Sequence, residues 1–426
     1  MHSYGAASMN VAIAARRAIE ALRNGVPNRF AVAELGSWQS QIEEGFQELC
    51  KGASSGPAGM LIKGDFGTGK SHLLLTLQER ARKNNFATSL VVVSKELPLG
   101  NPNRLIPRLL AQVELPDMVE RGIQGMAARL QYSSPSLQYS SPSVQEFQLW
   151  VNQWQFGSGW WPATLALYQR LGGDDEKLDA IVRFWAGEPT LKSSEVRRSL
   201  RDHGLAGAYP IGKLPPAESL HWQRLAFCAQ LCRAIGFGGL VVLVDEIELI
   251  AQYSLLQRVK SYRVLGHLFG TTTLPEEIKK APLVFVGAVT RDFERVILQE
   301  KGDWEKAPKI ALQKHMSEEV VKAGMEAISQ ATPLSSCLEA REAIQSMWHR
   351  VADLYQKAYP DWVRPSLPQL PELYSTTTVR SIIRRWITEW DVRRYYSPDT
   401  EIVIVEDEAI KSTPTEELPE LEEDEE

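Results

Sequence analysis

Apolar residues recur at helical spacing through 11–24 (VAIAARRAIEALRN), and the run stops at Gly25-Val26-Pro27, so the pattern predicts a helix ended by a glycine and a proline-bearing loop. A second helical stretch is expected over 39–51, broken by the Gly/Ser-rich GASSGPAG at 52–59. Four short apolar runs then stand apart from the helical pattern: 60–63 (MLIK), 90–94 (LVVVS), 240–244 (LVVLV) and 283–289 (LVFVGAV). They are rich in β-branched residues and continuous rather than alternating, as parallel strands are when helices cover both sheet faces. The run PKIAL at 308–312 reads as a fifth strand, followed by a helix over 317–330 with Ser317 as its N-cap. Residues 337–396 read as helical, interrupted by WVRPSLPQLPELY at 362–374. The expected class is α/β, with a parallel sheet and a C-terminal helical lid.

About 145 residues separate the second strand from the third, far more than one crossover helix needs, so a helical insertion is expected there. It holds a tandem repeat, LQYSSPS at 130–136 and again at 137–143, too short for a solenoid and read as a Ser/Pro-rich surface loop. It also holds Trp150, Trp154, Trp160, Trp161 and Trp185. Stacking on bases is one use for such residues, but the one-turn spacing of Trp150 and Trp154 favours the core of a small helical subdomain.

Composition changes this picture in two places. At 44% hydrophobic and 23% charged over 426 residues, the chain can bury large cores, and no apolar run approaches the ~18–20 residues needed to span a bilayer. The first ten residues lack a basic start and an apolar segment, and four irregularly spaced cysteines do not make a disulfide framework. A cytoplasmic protein with no membrane partner is expected. Charge is uneven: residues 401–426 carry 12 acids and one base, a net of −11, so the whole-chain −6 leaves +5 on residues 1–400. The end reads as an acidic tail able to compete with nucleic acid for a mildly basic body.

The residues that carry chemistry follow the strands. Gly64, Asp65, Phe66, Gly67, Thr68, Gly69, Lys70 and Ser71 fit G-x-x-x-x-G-K-[ST] between a strand and a helix. In such a P-loop (Walker A), backbone N–H groups face phosphate oxygens, Lys70 neutralises phosphate charge and the Ser71 hydroxyl ligates Mg²⁺. His72, next in line, is expected to pack at the helix start beside the nucleotide. The third strand ends in Asp245-Glu246, a Walker B pattern in which Asp245 serves the metal and Glu246 polarises the attacking water. Glu248 is expected to be a solvated helix residue. The fourth strand ends at Thr290, placed to sense a γ-phosphate, with Arg291 and Arg295 just beyond, where an arginine can face a neighbouring subunit's nucleotide. Arg380 and Arg384 share a helix face as candidate sensor arginines of the lid. Cys228 and Cys232 lie one turn apart in an apolar helix without partners at zinc spacing, which points to core packing.

The order strand, P-loop, helix, Walker B strand, polar-ended strand and helical lid is that of AAA+-like P-loop ATPases. More closely, RRAIEALRNGVPNRFAVAELG at 16–36, GDFGTGKSHLL at 64–74, LCRAIGFGGLVVLVDEIELI at 231–250 and TTTVRSIIRRWITEWD at 376–391 resemble the ATP-binding protein family of BREX bacteriophage-defence systems, the BrxD-like group. The resemblance implies a bacterial or archaeal, Mg²⁺-dependent ATPase, a motor or switch acting with other defence proteins, a helicase among the candidates, on DNA. It implies that Val26, Pro27 and Asn28 border the adenine, and it admits a homo-oligomer. The rival is a slow, nucleotide-gated scaffold that recruits proteins without acting on DNA. A P-loop kinase is disfavoured by the Asp245-Glu246 pair. The expected divisions are an N-terminal segment at 1–58, the ATPase core at 59–115 and 216–315, the insertion at 116–215, the lid at 316–400 and the tail at 401–426.

Overall fold

In a computed structural model the chain is described over residues 2–133, 142–153, 158–171, 175–188, 191–270, 273–336, 341–366 and 378–396. Helices α1 (His2–Arg23), α2 (Arg29–Leu35) and α3 (Ser40–Gly52) precede strand β1 (Ala58–Lys63). After α4 (Lys70–Lys83), β2 (Ala87–Val92) and α5 (Pro102–Ala111) come five helices: α6 (Gly122–Ser133), α7 (Pro142–Gln153), α8 (Trp160–Arg170), α9 (Asp175–Ala186) and α10 (Ser193–Asp202). The chain then returns through α11 (Ala217–Ala234), β3 (Leu240–Asp245), α12 (Leu255–Phe269) and β4 (Leu283–Val289). It ends with α13 (Asp303–Gln313), α14 (Glu318–Ser329), β5 (Thr332–Pro333), α15 (Arg341–Ala358) and α16 (Val379–Tyr395).

The strands form one parallel sheet in the order β2-β3-β4-β1-β5, so β4 separates β1 from β3. Register puts Lys63 opposite Val289, and Val92 opposite Asp245, so the carboxyl ends of β1 and β3 open on one edge. Alternate residues of β3 enter different cores: Leu240, Val242 and Val244 face the larger one, Val241 and Leu243 the one beneath α3 and α4. That is the two-sided burial expected of a continuous apolar run.

Two expectations from sequence are corrected. Residues 308–312 are not a strand; they lie within α13, which starts after Gly302 (φ 75°) and carries Asp303 and Glu305 in its first turn. Asp303, Ala307 and Ala311 are buried at a spacing of four, a helical period that the local run PKIAL concealed, and Pro308 is accommodated inside the helix. The edge position is taken by the two-residue β5, where Pro333 needs no ladder donor. Short helix α2 was also unforeseen, and Asn28 caps it by accepting from Phe30 N and Ala31 N.

The insertion tryptophans are core residues, but the core is not a separate one. Trp160, Trp161 and Trp185 are buried, and Trp161 and Trp185 pack on Phe227 of α11 at 4.7 and 5.0 Å between ring centroids, in the cluster that also holds β3 and β4. Trp154, the middle of the LQYSSPS repeat and the acidic tail, including 402–405, lie outside the described residues. Cys228 and Cys232 are fully buried, and no group of metal-binding side chains is found among the described residues. Nor is any described helix long and apolar enough to cross a membrane. A further core joins α1 to α15 and α16: Ala15, Ala18, Ile19 and Leu22 of α1 pack with Trp348 and Tyr355 of α15 and Trp386 and Trp390 of α16. Asp391 ties it together, accepting from Arg23 Nη2 at 2.6 Å and Tyr355 OH at 2.7 Å.

Helices α12 and α14 approach closely through two glycines. A Cβ on Gly324 would lie 1.9 Å from the Tyr262 carbonyl oxygen, and one on Gly266 would lie 2.0 Å from that of Val320. Gly324→Ala therefore forces the helices apart despite alanine's better helix propensity, with an expected stability loss of about 2–3 kcal/mol in chemical denaturation. A change of less than about 0.5 kcal/mol would show that the contact yields.

Acid should weaken the same large core. His221 is buried, and its Nδ1 accepts from Arg224 Nη1 at 3.2 Å; burial, then the Arg224 charge, pulls its pKa from 6.5 to about 4. Between those values the unfolded chain binds a proton that the folded chain refuses, so stability held above pH 6.5 is lost as pH falls toward 4. His72 and His267, also pulled down chiefly by burial, act in the same sense. Between pH 7 and 5, His221→Gln should remove up to about one proton from the fall of the urea midpoint with acid that the histidines contribute.

Candidate functional site

The turn from β1 into α4 requires glycine at two positions. Gly67 (φ 79°) and Gly69 (φ 98°) lie in the left-handed region, where a side chain is strained. Thr68 fastens the turn, its hydroxyl donating to the Asp65 carbonyl at 2.7 Å, and Gly64 N donates to Val289 O at 3.2 Å, binding the loop to β4. Gly69, the N-cap, offers no side-chain hydrogen bond to the first turn of α4, so the positive end of the helix is left to the loop.

Lys70 and Ser71 open that helix. The Lys70 ammonium is buried and donates to Gly64 O at 3.0 Å. Asp245, buried at the end of β3, accepts from Glu246 N at 2.9 Å, and Glu246 itself adopts φ 57°, ψ 38°, an uncommon conformation for a non-glycine residue. Burial first, and Asp245 second, hold the Glu246 carboxyl above the usual carboxylate range, with Lys70 and Arg380 opposing.

These groups face one cleft. It is lined by residues 66–72, Asp245, Glu246, Glu248, Arg350 and Arg380, and also by apolar residues that include Leu22, Val26, Pro27, Leu35, Trp38 and Ile383. The C-terminal helix roofs the loop: Arg380 N donates to Gly67 O at 3.1 Å, and its guanidinium lies over the Phe66 ring at 4.5 Å. His72 Nε2 lies 2.8 Å from Gly36 O, anchoring the wall between α2 and α3 to the start of α4; burial keeps its pKa low, so the neutral ring is favoured.

Of the residues singled out by sequence, Pro27, Phe66, Gly67, Thr68, Gly69, Lys70, Ser71, His72, Asp245, Glu246 and Arg380 lie on this cleft. Gly64 and Asp65 shape the loop without lining it. Asn28 is turned to its capping role. Thr290 is buried beyond the end of β4, and Arg291 reaches back to Leu334 O at 3.2 Å, its Nε lying 3.8 Å from an Asp65 oxygen. Arg295 pairs with Glu300 at the surface, and Arg384 is exposed on α16.

Two charged cleft residues escaped the sequence reading. Glu248, expected in solvent, is 7% exposed, with one carboxylate oxygen 3.4 Å from Lys70 Nζ. A 3-10 turn, Ile247–Gln252, carries it back under the glycine loop, and burial above all pushes its carboxyl up to about 6. The buried apolar residues on either side, Ile247 before it and Ile250 two positions after it, were the available signal. Arg350 of α15, whose Nη1 donates to Leu35 O, had no local signal: only the packing of α15 on α2 brings it there.

Residues 13–119 match the family model of the BREX system ATP-binding protein BrxC/D. The resemblance to the BREX ATP-binding protein family is therefore borne out over the segment that carries the second half of α1, α2, the glycine loop and β2. No curated protein matches the chain.

Proposed function

We propose that this relative of the BREX ATP-binding proteins binds and hydrolyses ATP as an AAA+-like P-loop protein of a phage-defence system, acting with partner proteins on DNA. The observation that carries the reading is the meeting of Lys70 and Ser71, at the start of α4, with Asp245 and Glu246, at the end of β3, in one cleft that is also lined by apolar residues. Ligands of parallel α/β sheets bind at the carboxyl edge, and a triphosphate with a purine base has the matching polarity. The placement of β4 between β1 and β3, which leaves a strand between the one before the glycine loop and the one that ends in Asp245, further supports the AAA+-like reading.

In this reading the backbone N–H groups of the loop and the first turn of α4 hold the phosphates, and Lys70 offsets their charge. The Ser71 hydroxyl and Asp245 carboxylate are hard oxygen donors on the same cleft and suit Mg²⁺, which when bound neutralises phosphate charge. Glu246 accepts a proton from the attacking water, and its raised pKa makes it a better base than a solvated carboxylate. The apolar wall of Val26, Pro27 and Ile383 receives the adenine ring. Arg380 reaches the phosphates by leaving Phe66, which couples the lid helix to nucleotide. A homo-oligomer presenting Arg295 to a neighbouring site belongs to the same reading.

Phosphate release from ATP, measured with the protein alone, with DNA and with each co-encoded partner, tests it. Release stimulated by DNA is the expected result. Stimulation by protein alone would favour the scaffold reading, and nucleotide binding without release in any mixture would remove hydrolysis.

A further inference from the structure

Lys70 Nζ has two contacts of opposite consequence for an incoming anion. One is the neutral Gly64 carbonyl at 3.0 Å; the other is Glu248 Oε1 at 3.4 Å, where both side chains are less than a tenth exposed. The second carboxylate oxygen, Oε2, is buried and has no hydrogen-bond partner among the described residues, although Glu248 lines the cleft. A buried carboxylate with an unsatisfied oxygen is costly, and the cost is accepted here two residues past Glu246, the second of the two acids that the proposed chemistry uses. We propose that Glu248 is an internal counter-ion that competes with the nucleotide's phosphates for Lys70, setting how tightly the site holds polyphosphate. This rests on the reading of the cleft as an ATP site.

The argument is electrostatic. Polyphosphate and Glu248 are both anions, both reach for one ammonium group, and the surroundings screen them poorly. Each phosphate that engages Lys70 weakens its pairing with Glu248 and adds like-charge repulsion across the cleft. Glu248 thus subtracts from affinity for the part of the ligand that carries negative charge and has no reason to affect the base. Its place at the 3-10 turn directly after Glu246 means that the same ion pair also ties the proposed water-polarising residue's segment to Lys70.

The test uses the full chain and calorimetric or fluorescence titration with MgATP, MgADP and adenosine. Glu248→Gln keeps the shape and removes the charge; it is expected to bind MgATP and MgADP about tenfold tighter, with adenosine affinity unchanged. Glu248→Asp keeps the charge but withdraws it from Lys70, and its affinities should fall between those of wild type and Glu248→Gln, which keeps the proposal testable if the glutamine variant does not fold. A purely structural role would change adenosine and nucleotide affinities together, and that result overturns the proposal. So does unchanged or weaker polyphosphate binding by a folded Glu248→Gln or Glu248→Asp protein while wild type binds MgATP normally. Wild type that binds neither MgATP nor MgADP instead removes the ATP-site reading itself, and the counter-ion with it.

Discussion

Glu246→Gln protein is expected to bind ATP as tightly as wild type and to hydrolyse it about 10²–10⁴-fold more slowly, whereas Lys70→Ala should fail at the earlier step of binding. The two substitutions remove different things. Glutamine at position 246 keeps size and hydrogen bonding but cannot take a proton from water, and the residue sits at the cleft surface after the end of β3, where its loss disturbs no core. Alanine at 70 removes the ammonium proposed to meet phosphate charge, and it also takes away the cation beside the buried Glu248. For that reason Lys70→Ala should lose some folding stability as well, while Glu246→Gln should not. Filter binding and single-turnover hydrolysis distinguish the two, and a Glu246→Gln protein with undiminished turnover would end its assignment as the water-polarising residue.

Why these positions could be chosen from sequence is a matter of range. The turn from β1 to α4 is local: glycines that need left-handed φ, a lysine at the helix start and a preceding apolar strand all sit within about a dozen residues. The same holds for β3 ending in Asp245-Glu246 and for Ser317, whose side chain accepts from Val320 N as an N-cap should. What stayed hidden depends on long-range packing. PKIAL is apolar enough for a strand, yet Ala307 and Ala311 are drawn into the core as one face of α13. Glu248 differs from a solvated acid only because the 3-10 turn bends beneath the loop to Lys70. Arg350 and Trp38 meet the cleft because the first and last helices share a core, which no neighbouring residues announce. The expected lid is likewise divided by packing: α14 joins the sheet's core through α12, while α15 and α16 pack with α1.

The largest stability effect is expected at Asp303, a residue far from the motifs. Its carboxylate is fully buried and accepts from Arg258 Nε at 2.7 Å, Arg258 Nη2 at 2.9 Å and the Tyr262 hydroxyl at 2.6 Å. The paired acceptor oxygens match the fork of the guanidinium, and Arg258 Nη1 spends its remaining reach on the Tyr253 carbonyl at 2.6 Å. Burial first, and the Asp303 charge second, hold the Tyr262 hydroxyl well above its usual pKa, so it stays a donor. Removing the anion alone, as in Asp303→Ala, strands a buried guanidinium and should cost about 3–5 kcal/mol, a large share of the ~5–15 kcal/mol typical of folded proteins. Replacing both partners with apolar groups, Arg258→Met with Asp303→Leu, should recover much of that loss, because the desolvation cost of the charge pair disappears with the pair. The network also closes the segment that carries Glu248: Tyr253 ends the 3-10 turn, and its hydroxyl donates to Ser94 O at 2.9 Å, beside the end of β2. Asp303→Ala should therefore lower nucleotide affinity along with the thermal midpoint, and the double variant should restore the midpoint more fully than the affinity. Thermal unfolding followed by tryptophan fluorescence, with and without MgATP, measures both, and a midpoint within about 2 °C of wild type for Asp303→Ala would show that the pair is not what holds α12 to α13.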